Sequence, residues 1–224
     1  MILSEIVGSE AHPIYQELEI ANGNRQYDFL RSIVATSLAV QRPFLSSHII
    51  KAFNFQAITC LHTNAGEFRP CPVTVGINDP NPYEPPAPYR VQALMDDFVN
   101  TVNRAWETAD SVALAAYVLW RLNWIHPFIN GNGRSARAAS YFVLCVKTDL
   151  WLPGAPILPE LLRTRRQEYV AALKAGDASA TAGNLDLSQL HALMTELLKE
   201  QLNGGAPPAK PAAGPPLLPA PQEP

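Results

Sequence analysis

Seven prolines fall between Pro70 and Pro88 and eight more after Asn203, and this placement of most of the chain's 21 prolines constrains its fold more than any other feature. Proline fixes φ and removes an amide donor, so neither stretch can be helix or central strand. The first must be an extended, turning segment, in which Val73-Thr74-Val75 reads as a short strand. The second, NGGAPPAKPAAGPPLLPAPQEP, has almost no charge and no aromatic residue. Such a composition buries no core, so residues 203–224 are expected to be a disordered Pro/Ala-rich tail, a spacer rather than a proline-rich ligand.

Between and around these stretches apolar residues recur at three- and four-residue intervals, the period of an amphipathic helix. The spacing predicts helices over Asn24 to Val40, Ser46 to His62, Tyr89 to Thr108, Ser111 to Ile125, Ser135 to Thr148, Pro159 to Ala175 and Leu187 to Gln201. Asp110 stands where its carboxylate can accept from the orphan amides of the helix that follows. The fold class is therefore mainly α with one small β element, and roughly 200 foldable residues suffice for a sizeable core. With 17 Lys and Arg against 20 Asp and Glu, a net charge of -3 leaves no electrostatic footprint for nucleic acid. Cys60, Cys71 and Cys145 lack metal or disulfide spacing and read as reduced thiols. The N-terminus lacks a secretory pattern, and the most apolar run, Val112 to Trp120, is too short for a bilayer. A cytoplasmic protein with no membrane partner is expected. His12, His48, His62 and His191 show no ligand spacing, and the four tryptophans read as core.

The connection HPFINGNGRSAR, His126 to Arg137, is richer in chemistry than a linker between two apolar helices requires. Pro127 pushes His126 out of helical geometry, fixing a partly exposed imidazole at a helix end. Gly131 and Gly133 let successive amides point into one concavity, and a helix beginning at Arg134 or Ser135 turns that concavity into an anion site. Arg134 and Arg137 put positive charge where the macrodipole disfavours it. Either a bound polyphosphate or carboxylates from elsewhere in the fold would supply the missing negative charge.

These residues resemble the Fic (Fic/Doc) family motif, His-x-Phe-x-(Asp/Glu)-Gly-Asn-Gly-Arg-x-x-Arg, at every fixed position except Asn130. Gly66-Glu67-Phe68-Arg69 and Val73-Thr74-Val75 are similar to the segment that leads into the family's flap, and RRQEYVAALKAGD is similar to its closing helix. The resemblance implies a helical bundle with a small β-hairpin flap, about 66–89, over the active site. It divides the chain into an N-terminal helical extension, 1–40, a Fic domain, 41–202, and the tail. It implies transfer of AMP from ATP to a Ser, Thr or Tyr hydroxyl of a target protein laid along the flap. His126 would be the general base, Gly131, Asn132 and Gly133 the anion hole, and Arg134 and Arg137 the holders of the outer phosphates. Phe128 would anchor the loop.

The acidic residue that Asn130 replaces holds Mg2+ in active relatives, so three readings stay open. A weakened Mg2+ or Mn2+ is carried mainly by ATP, transfer proceeds without strict metal dependence, or nucleotide binding survives without transfer. A phosphotransferase of the Doc branch is a further alternative, opposed by Gly133, where that branch carries Lys. A catalytically weak nucleotide-binding interaction module is another. The family's inhibitory motif has no full match: Thr164 to Tyr169 has the spacing but the wrong last residue, and Ser37 to Gln41 lacks the Glu. Control by a separate antitoxin chain, or no inhibitor, is then expected.

Overall fold

The computed structural model describes residues 3–41, 43–77 and 82–204, and the proposed tail lies almost wholly outside them. Among the described residues there are nine α-helices and one 3-10 turn, with no β-strand.

The architecture is built around α5 (Ser111–Ile125) and α6 (Asn132–Lys147). α5 is apolar along most of its length, and α6 is buried from Ala138 to Val146, the pattern of helices at the centre of a bundle. Ala115, Ala116, Ala136 and Ala139 are fully buried. Small side chains let the two backbones approach, closely enough for the Ser140 hydroxyl to donate to the Ala115 carbonyl at 2.8 Å. Asp110 caps α5 as expected, its carboxylate accepting from the Ala113 amide at 2.9 Å.

Around this pair lie α2 (Pro13–Val40), α3 (Ser47–Ile58) and α4 (Val91–Ala105) on one side, with a short α1 (Leu3–Val7) before them. Phe53 of α3 sits edge-on to Phe29 of α2 and Phe142 of α6, with centroids 5.6 and 6.1 Å away, so one buried ring joins three helices. On the other side α7 (Leu158–Thr164), α8 (Arg166–Thr181) and α9 (Ser188–Asn203) close the bundle.

Three expectations need correction. The helix expected to begin at Asn24 starts at Pro13, whose ring suits a first helical turn and whose preceding residue, His12, accepts from the Ile14 amide. The single helix expected over Pro159 to Ala175 is broken at Arg165 (φ -92°, ψ 43°), where Glu168 and Glu196 hold the guanidinium. Glu168 is thereby committed to Arg165 rather than to Arg137. The expected strand and hairpin are reduced to one antiparallel bridge between Val75 and Tyr83. Prolines on both arms, without amide donors, leave no longer ladder to form.

Candidate active site

The loop between α5 and α6 is fixed from three directions. Inside it, the Asn132 side chain folds back, accepting from the Phe128 amide at 2.9 Å and donating to the Phe128 carbonyl at 2.8 Å. Phe128 is buried against Phe68, 5.8 Å between centroids. From α3, Asn54 donates to the Asn130 carbonyl at 2.8 Å and to Ser135 Oγ at 3.3 Å, and accepts from the Gly66 amide at 3.0 Å. This fully buried Asn thus ties the loop to the Gly66 turn that precedes the flap. From that turn, the Arg69 amide donates to the Pro127 carbonyl at 2.8 Å.

Gly131 is required twice over. Its φ of +75° lies in the left-handed region, and a Cβ there would meet Ile58 Cγ2 at 2.6 Å and Asn54 Nδ2 at 3.0 Å. As the N-cap of α6 it stands at a helix N-terminus whose first amides have no intrahelical acceptor, the general setting of an anion site. A Cβ on Gly133 would lie 3.2 Å from Arg137 Nη1, so that guanidinium flanks the turn.

His126 ends α5 in the left-handed region, φ 52° and ψ 58°, its amide still donating to the Leu122 carbonyl. The ring is partly buried, and Nδ1 lies 3.3 Å from the Asn123 carbonyl oxygen. A carbonyl only accepts, so this contact places the proton on Nδ1 and leaves the Nε2 lone pair free. Burial pushes the imidazole pKa down to about 4, the Asn123 contact opposing and nearby Arg69 adding to the shift. The ring is therefore neutral at ordinary pH, with its Nε2 lone pair unprotonated.

The two motif arginines diverge. Arg134 reaches toward the N-terminal helices, with Nη1 at 3.1 Å from the Ala57 carbonyl and 3.2 Å from Glu19 of α2, and Nη2 at 3.3 Å from Asn130 Oδ1. Arg137 turns the other way, beside the Tyr169 hydroxyl, and feels the like charges of Arg134 and Arg163 only through space. It forms no ion pair among the described residues, and burial lowers its pKa without threatening its charge. Tyr169 in turn accepts from Asn123, so Arg137 and His126 share one supporting residue.

Asn130 does not fit a protein-held divalent ion. Its Oδ1 accepts from the Gly131 amide at 2.5 Å and from Arg134, and its Nδ2 donates to Glu10 at 3.1 Å. With both oxygen lone pairs engaged and no charge, it offers Mg2+ little. No group of three or more His, Cys, Asp and Glu that could hold a metal occurs among the described residues.

Sequence reasoning missed four contributors. Asn54 was legible only as a polar residue inside the apolar run AFNFQAI. Arg69 was noted within a motif but not as a ligand of three carbonyls. Glu10 and Glu19 come from the N-terminal segment, over a hundred positions away, and no local signal announces them.

A model of the Fic/DOC family matches residues 44–144, a span that contains α3, the flap, α4, α5, the loop and most of α6. Over this span the chain matches the Fic/DOC family. The protein adenylyltransferase Fic of Drosophila persimilis is 33% identical over 133 residues, covering 54% of this chain and 24% of that protein. The Drosophila grimshawi protein of the same name is 31% identical over 156 residues, 62% of this chain and 30% of its own length. The chain thus matches only about a quarter to a third of these relatives. In fold, the chain resembles a Fic-domain signalling protein from Bacteroides thetaiotaomicron, with TM-score 0.65 and 20% identity over 83% of this chain and 70% of that one. It also resembles Fic-1 (residues 134–508) from C. elegans, with TM-score 0.65 and 22% identity over 87% and 52%. No described helix is long and apolar enough to cross a membrane.

Proposed function

We propose that this chain is a Fic-type protein adenylyltransferase that moves AMP from ATP to a Ser, Thr or Tyr hydroxyl of a target protein. The observation that carries this reading is Arg137, a partly buried guanidinium without a carboxylate among the described residues, set against the glycine turn that opens α6 beside a histidine with an open Nε2. The relatives named protein adenylyltransferase support it at the level of the family.

In this reading His126 Nε2 takes the proton from the target hydroxyl as its oxygen bonds to the α-phosphorus of ATP. The bond from that phosphorus to the oxygen bridging to the β-phosphate breaks, and pyrophosphate leaves. The amides of Asn132 and Gly133, and that of Gly131 once Asn130 Oδ1 releases it, stabilise charge on the phosphate oxygens, and Arg137 and Arg134 hold the outer phosphates. Asn132 contributes its amide, since its side chain is spent on Phe128. No residue of the loop would hold Mg2+ or Mn2+, and the charge neutralisation such an ion supplies would have to come in with the nucleotide. The target strand lies along the flap, where main-chain pairing sets its distance from His126.

A second reading, a nucleotide-binding module without transfer, is favoured by Asn130 Oδ1 sitting on the Gly131 amide. Native lysate incubated with the protein and ATP labelled at the α- or the γ-phosphate separates them. Label passing to protein from the α position alone supports adenylylation. Passage from γ alone indicates phosphotransfer, and ATP binding without passage of either label indicates the binding module.

A further inference from the structure

Arg69 is the only charged side chain in the fully buried set among the described residues, 2% exposed. Among the described residues it faces no carboxylate. Its Nε donates to the His126 carbonyl at 2.8 Å, Nη1 to the Cys71 carbonyl at 3.1 Å and Nη2 to the Pro86 carbonyl. Burying a guanidinium without a counter-ion is costly, and a helical bundle gains nothing from it that apolar packing would not give. The three acceptors explain the arrangement. Cys71 is where the chain enters the flap, Pro86 is where it leaves, and His126 holds a left-handed backbone conformation that side-chain-bearing residues disfavour.

We propose that Arg69 is a positioning residue that joins the backbone of His126 to both roots of the flap, so that the proton acceptor and the surface presenting its target move as one unit. Only the planar fork of arginine, with five donors in fixed directions, reaches three carbonyls from three segments at once. The inference rests on reading His126 as the base. A second tether, from Tyr83 Oη to the Trp124 carbonyl at 2.7 Å, holds the flap alone and touches neither His126 nor Arg69 by hydrogen bond. The two tethers can therefore be released separately.

The test compares Arg69→Lys, Arg69→Met and Tyr83→Phe in the full chain without nucleotide or target. NMR follows the His126 ring-proton titration and amide exchange at Val75 and Tyr83, the bridged pair of the flap. Arg69→Lys keeps the charge and a foldable chain should Met prove disruptive. Both Arg69 variants are expected to speed exchange at that pair about tenfold or more, the ratio of losing one hydrogen bond to a charged group. They are also expected to shift the His126 ring resonances and, in Arg69→Met, to raise the titration midpoint. Tyr83→Phe is expected to speed flap exchange and leave the His126 spectrum as in the parent. Arg69 variants that lower only the melting temperature, or that loosen the flap while His126 keeps its parent spectrum, would overturn the proposal. Since none of these readings uses transfer, a parent chain that proves inactive would sink the functional reading separately.

Discussion

At the scale of single residues, the loop chemistry turns on where protons and lone pairs stand. His126 is neutral in the folded state down to about pH 4, whereas an unfolded imidazole titrates near 6.5. Between these values the unfolded chain binds the extra proton. This contribution to stability is complete above pH 6.5 and is lost as pH falls toward 4. Chemical denaturation at pH 7 and pH 5 should show the difference, and His126→Gln should reduce it. The acid limb of transfer should correspondingly lie below pH 5. Gly131→Ala combines a left-handed backbone, about 1 to 2 kcal/mol, with overpacking against Ile58, about 1 to 3. A stability loss of roughly 2 to 5 kcal/mol is expected by urea titration. Asn130→Asp returns a charge beside Arg134, and calorimetry should find that ATP affinity then depends more steeply on Mg2+. The identities of these residues were legible because chemistry at short range leaves a contiguous motif. The divergence of Arg134 and Arg137 was not, since it is set by Glu19, Ala57 and Tyr169, which are distant in sequence.

At the scale of elements, α3 acts as a template for the loop. Asn54→Ala would leave the Asn130 carbonyl and the Gly66 amide without their buried partner. At about 1 to 3 kcal/mol for each orphaned group, the melting midpoint should fall by roughly 5 to 15 °C in a calorimetric scan. Helical periodicity placed α5 and the Asp110 cap correctly because both depend on neighbours within one turn. It failed at Arg165, where carboxylates at Glu168 and Glu196 draw the side chain out of helical register, Glu196 being a tertiary partner that no local window contains. The flap fell short of a hairpin for a reason the sequence did show, the prolines on its arms.

At the scale of the whole molecule, the N-terminal segment is a covering for the site rather than an appendage. Glu19 of α2 pairs with Arg134, and Glu10 contacts both Asn130 and His62. In the proposed reaction Glu19 competes with phosphate for Arg134. An exposed pair of this kind amounts to at most about 1 kcal/mol, so Glu19→Gln should tighten ATP binding by up to about fivefold in a titration at low salt. The measurement that bears most directly on the account is a paired one on the His126→Ala chain: its ATP affinity, and its transfer of α-phosphate label to protein. Affinity within a few-fold of the parent and no transfer are expected, because Arg137 and the loop amides bind while Nε2 accepts the proton. Transfer undiminished in that variant would contradict it.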